Sequence, residues 1–107
     1  MIATPVNCAP ISRGCTCGCA EPHRIGRRTT ADGAIMLLWS DGQITDRAAR
    51  IYGTFPLKTM WAAFDLLGFY DVAEVRLFVR EWKRAIKLVG ANPTTARAET
   101  FHRLAAL

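Results

Sequence analysis

Four cysteines and a histidine are the residues in this 107-residue chain whose types and spacing most directly suggest chemistry: Cys8, Cys15, Cys17, Cys19 and His23. Thiolate sulfur and imidazole nitrogen bind zinc tetrahedrally, and Gly14 and Gly18 permit the sharp turns that converging ligands need. The surrounding segment has no apolar periodicity and so no core of its own, which would make the energy of zinc binding also its folding energy. Cys-x-Cys-x-Cys is tighter than the paired spacing of structural zinc sites, which predicts that three or four of the five donors share one ion and one or two are left out. Reduced thiols on an unliganded arm are the competing reading, with a disulfide behind both. A Cys–His catalytic pair is not expected, since a loop-like arm cannot preorganise a nucleophile and its base.

The second chemistry is cationic. Fourteen Lys and Arg against nine Asp and Glu give a formal charge of +5, which favours acidic partners. The basic residues fall in groups. Arg24, Arg27 and Arg28 follow the cysteine cluster, Lys58 stands alone in the middle of the chain, and Arg76, Arg80, Lys83, Arg84 and Lys87 recur at helical spacing. No Gly-rich phosphate loop, metal-dependent hydrolase motif or pair of carboxylates flanking a recognisable cleft occurs, so an enzyme is not expected.

These groups must be positioned by elements legible in the remaining pattern. Residues 1–30 read as a basic, Cys-rich arm without helix or strand, and residues 31–107 as one helical domain of common size. Residues 34–39 are continuously apolar. Helix is the favoured assignment, making this the first element of a tri-helical unit; Asp41-Gly42 between AIMLLWS and QIT leaves a type I′ hairpin open.

Residues 45–68, TDRAARIYGTFPLKTMWAAFDLLG, read as two short helices around a corner. Thr45 serves as an N-cap, Gly53 ends the first helix and Pro56 opens the second, with Leu57, Met60, Ala63, Phe64 and Leu67 on its core face. With small residues in the first helix and glycine at the turn, this stretch resembles a helix-turn-helix DNA-binding unit. It departs from that pattern in a corner about one residue longer than usual. The presented face carries Lys58, Trp61, Ala62 and Asp65 and no Arg, Asn or Gln to read base edges.

Asp71 caps the clearest helix, DVAEVRLFVREWKRAIKLV, which Gly90 ends. Val72, Val75, Phe78, Val79, Trp82, Ala85, Ile86 and Val89 share an apolar arc of about 140°, and the five cations share a neighbouring arc of about 100°. Glu74 and Glu81 neutralise part of that stripe, and Arg80 and Lys83 are expected to be replaceable without loss of stability. Leu77 and Leu88 lie off the apolar arc. After Asn92-Pro93 a terminal helix carrying Ala98, Phe101, Leu104 and Ala105 is expected to fold back and cover them.

The sequence therefore predicts an all-α bundle of four to five helices with a helix-turn-helix-like corner, and with Trp39, Phe64, Phe78 and Trp82 in its core. The expected function is that of a small cytoplasmic regulator binding nucleic acid, DNA in the first place. Its contacts are Arg24, Arg27, Arg28, Lys58, Arg76, Arg80, Lys83, Arg84 and Lys87. The alternative is a protein-interaction module, an inhibitor or adaptor, docking through Trp61, Leu77 and Leu88. A third possibility is metal sensing or storage by the cysteine cluster. No apolar run approaches the roughly 18 to 20 residues of a membrane span, and a secretory signal is not evident, so a membrane partner is not expected.

Overall fold

A computed structural model describes residues 22–107 of the chain; Cys8, Cys15, Cys17 and Cys19 lie outside them. The fold is not all-α. It is a mixed fold in which four strands form an antiparallel meander in chain order and the helices follow: β1 (Arg24–Thr29), β2 (Ile35–Trp39), β3 (Gln43–Asp46) and β4 (Ile51–Thr54), then α1 (Met60–Phe64), a 3₁₀ segment (Asp65–Phe69), α2 (Val72–Val89) and α3 (Pro93–Ala105).

The favoured helix at residues 34–39 is β2. Its unbroken apolar run reflects an inner strand flanked by β1 and β3, with Met36 and Leu38 beneath the helices and Leu37 buried on the other face. The hairpin left open by Asp41-Gly42 is present, but its turn is not type I′. Gly42 N–H donates to the Trp39 carbonyl at 2.8 Å, Gly42 has φ 88°, and Asp41 keeps a negative φ. Glycine is required there, because a Cβ at Gly42 would stand 2.2 Å from the Phe55 carbonyl oxygen.

The helix-turn-helix corner is likewise absent. Thr45, the expected N-cap, pairs with Leu37 within β3, and DRAAR forms the β3–β4 turn. Asp46 organises that turn. Its carboxylate accepts the Ala48 and Arg50 N–H groups, each at 2.9 Å, an alternative to helix that Asp offers the backbone, with Ala49 at φ 67°. Gly53, the expected helix stop, lies in β4, where α2 comes so close that a Cβ would meet Val79 Cγ1 at 2.6 Å. Pro56 begins no helix. The helix starts at Met60, which leaves Leu57 exposed while Met60, Ala63, Phe64 and Leu67 keep their expected burial.

Arg24–Thr29, read as part of an arm without helix or strand, is a strand paired with β2 through a bulge between Arg24 and Gly26. The helices cover one face of the sheet. Met36, Leu38 and Ile44 from that face join Phe55, Phe64, Leu67, Phe78, Val79 and Trp82 in one core. Trp82 is fully buried, and its indole N–H donates to Thr59 Oγ1 at 2.9 Å. Trp39, expected in the core, lies half-buried on the outer face, where its N–H donates to Thr45 Oγ1 at 2.8 Å. Among the described residues, no helix is long and apolar enough to cross a membrane.

Candidate nucleic-acid interface

α2 is the element that positions the cationic stripe, and its ends are held as the sequence implies. At its start, the Glu74 carboxylate accepts the N–H of the N-cap residue Asp71 at 2.9 Å. Asp32, from the β1–β2 turn, accepts the Val72 N–H at 3.0 Å, so the first turn is fixed to the sheet as well as to itself. Gly90 closes the other end at φ 88°. Val75, Phe78, Val79, Trp82 and Ala85 are buried, which fixes the rotation of the helix and leaves Arg76, Arg80, Lys83, Arg84 and Lys87 exposed.

All five cations line one groove of about 290 Å³ whose opposite wall is Tyr52 and Gly53 of β4. The glycine is what lets α2 approach the strand closely enough to form this wall, through the contact with Val79. The Arg76 guanidinium stacks over the Tyr52 ring, 4.8 Å from its centroid, and the Tyr52 hydroxyl donates to Asp46 at 3.3 Å. Backbone hydrogen bonds from Arg50 and Ala48 hold the Asp46 carboxyl below its ordinary pKa, against the opposing effect of desolvation.

The five cations are not equivalent. Glu81 is buried at 1% exposure, and its carboxylate accepts from Arg103 Nε at 2.9 Å and from Arg80 Nε and an Arg84 NH group at 3.1 Å each. Burial pushes this carboxyl up, but the hydrogen bonds from Arg103 and Arg80 and the charges of Arg84 and Arg103 outweigh it and hold it below its ordinary pKa. Arg80 is therefore tied to a buried anion and is not a freely replaceable surface residue. Lys83 and Lys87 enter no ion pair among the described residues.

The remaining expected contacts separate. The bulge in β1 puts Arg24 and Arg27 on the same face, opposite Trp39 and Leu37, away from the helices. Arg47 from the β3–β4 turn joins them around Ile35 and Leu37, lining a hollow of about 370 Å³. Arg28, opposite Met36, faces the helices instead, paired with Asp65 and stacked 5.3 Å from the Phe64 ring centroid. Lys58 is exposed in the turn before α1 and lines neither surface.

Arg47 and Tyr52 were not legible as site residues, because the stretch containing them reads as helix. The β-branched Ile44, Thr45 and Ile51 on either side of an Asp-led turn were the signal that could have found them. Arg103 was not legible as a partner of Glu81 either, because only the docking of α3 brings the two together.

Of the alternative protein anchors, Trp61 is 42% exposed and rests against Phe64 and over Gly26, Leu77 is half-buried, and Leu88 is 64% exposed. The zinc reading rests mainly on cysteines outside the described residues. His23, inside them, has its N–H on Ser40 Oγ at 3.0 Å and its carbonyl on the Ser40 N–H at 2.8 Å. Among the described residues no group of three or more His, Cys, Asp or Glu gathers to hold a metal. No family model, curated protein or solved structure matches the chain, so the functional reading rests on its own residues.

Proposed function

We propose that this chain is a small cytoplasmic regulator that binds nucleic acid, holding phosphates in the groove between α2 and β4. The observation that carries this reading is the groove's lining: five cations in one concave surface, with the neighbouring Glu81 buried beneath the guanidinium groups instead of facing the opening. A concave surface of one sign focuses the field on an anion, and a row of Lys and Arg along a helix can contact successive phosphates. The net charge of +5 supports the same reading.

Lys83 and Lys87 are the residues on which to test it. Both are exposed and enter no ion pair among the described residues, so replacing them with Ala leaves stability within about 1 kcal/mol. If each contacts a phosphate, the slope of log affinity against log salt shrinks by about two. A parent without salt-sensitive binding to DNA or RNA, or a double variant with the parent's slope, refutes the proposal.

The exposure of Leu88 and Trp61 favours the second reading, a protein partner docked on apolar anchors. Such binding would respond little to salt and would be lost in Leu88→Ala or Trp61→Ala. We also propose that three or four of Cys8, Cys15, Cys17, Cys19 and His23 supply the ligands of a structural zinc, an assignment supported by ligand type and spacing alone.

A further inference from the structure

The hollow around Arg24, Arg27 and Arg47 lies on the face of the sheet that the helices leave uncovered, whereas the groove of Arg76, Lys83 and Lys87 lies on the helix side. We propose that this outer face is a second nucleic-acid surface, so that one copy of the chain bridges two duplex segments. The inference rests on the nucleic-acid reading above and extends it from binding to bridging.

Three features of the outer face carry it. First, the bulge between Arg24 and Gly26 brings Arg24 and Arg27 to the same face; regular alternation would put residues three apart on opposite faces. Second, Asp46 turns its carboxylate to the backbone N–H groups of Ala48 and Arg50, and this holds the turn from which Arg47 reaches the same hollow. Third, among the described residues no carboxylate lines the hollow and none of its three arginines enters an ion pair. Charge complementarity therefore selects a polyanion, and the guanidinium fork suits the bidentate geometry of phosphate.

The placement of the two surfaces decides how many segments are held. Duplex DNA is stiff, with a persistence length of about 150 base pairs, so a short duplex seated in the helix-side groove cannot curl around β4 to reach the opposite face of the sheet. Filling both surfaces therefore takes two duplexes. A flexible single strand could pass around the edge and satisfy both at once, which gives the experiment a second arm.

The test uses the full chain with a short biotinylated duplex on beads and a fluorescent duplex in solution. The parent is expected to carry fluorescence to the beads, whereas excess single strand that spans both surfaces on one chain should suppress this transfer. The Arg24→Ala, Arg27→Ala, Arg47→Ala variant should still bind one duplex through the groove, with the salt slope of that groove unchanged, and should no longer bridge. The Lys83→Ala, Lys87→Ala variant should bridge more weakly, in step with its weakened groove, while keeping binding through the outer face. Circular dichroism melts identify any variant that fails to fold, and charge-reversing Arg27→Glu alone then replaces the triple change. A parent that binds duplex without bridging overturns the inference and leaves the proposed function standing. Bridging that survives loss of the outer face also overturns it, because self-association through one surface would then be the cause. A parent that binds no nucleic acid removes both.

Discussion

Replacing Glu81 with Gln tests the electrostatics beneath the groove. The carboxylate is fully buried and accepts three charge-assisted hydrogen bonds at 2.9 to 3.1 Å. Such bonds contribute about 1.5 to 3 kcal/mol each where both partners are shielded. Here the donor side chains are 54%, 54% and 31% exposed, so screening brings each nearer 1 kcal/mol. Gln keeps the volume and one oxygen acceptor but turns an NH₂ toward the arginines, losing two of the three bonds and the charge. The expected loss is about 2 kcal/mol, or a melting temperature lower by about 8 to 16 °C for a domain of this size.

The pH dependence has a definite sign. Because the folded carboxyl lies below its ordinary 4.5, its contribution is complete above that pH and disappears as pH falls through the folded pKa. The gap between parent and variant in thermal or urea unfolding should therefore be widest near neutrality and shrink as pH falls below 4.5 and through the folded pKa. Removing the anion also frees Arg80 and Arg84, so salt-sensitive binding should strengthen. A variant that melts with the parent at pH 7, or a gap constant down to pH 2, would refute the clamped carboxylate. Replacing Glu81 and Arg103 together with Met should recover much of the loss, since a packed apolar pair can substitute for a buried ionic one.

Trp82→Ala should lower stability by about 3 to 5 kcal/mol in denaturant titration, because it empties the centre of the core and removes the indole donor to Thr59 Oγ1; a parent-like midpoint would show the α2 phase to be wrong. Gly53→Ala should destabilise by about 1 to 3 kcal/mol, with Val79→Ala restoring part of it, and a silent single change would mean that α2 does not press on β4. Elemental analysis of protein never exposed to chelator should find about one zinc per chain. Metal below about a tenth of an equivalent would sink that assignment, whereas chelation of bound zinc should leave the sheet and helices folded, since they have their own core.

α2 was legible nearly to the residue, from its Asp71 cap to Gly90, and the five-cation stripe with it. Its apolar arc repeats at the helical period and its caps are local, so the information lies within one stretch of chain. α3 was legible in place but not in phase. Asn92 and Pro93 mark its start, yet Ala96 and Thr100 are buried while Ala98 is exposed. Its amphipathicity is weak, and contact with α2 sets its rotation.

The cationic stripe, the capped helix that displays it and the apolar identity of residues 34–39 are all carried by local sequence. Tertiary structure alone decided that those residues are a strand, because a run buried on both sides has no period to distinguish helix from sheet. It also decided that Thr45 and Gly53 belong to strands, since a cap residue and a turn glycine look the same wherever the backbone needs them. The division of the arginines came from the same source. Arg24 and Arg27 share a face through a bulge, Arg28 turns inward to Asp65, and Arg103 crosses from α3 to Glu81, each through pairing with residues distant in the chain. Local sequence fixes periods and caps, whereas the register of a sheet and the partner of a charge are set by contacts that exist only once the chain has folded.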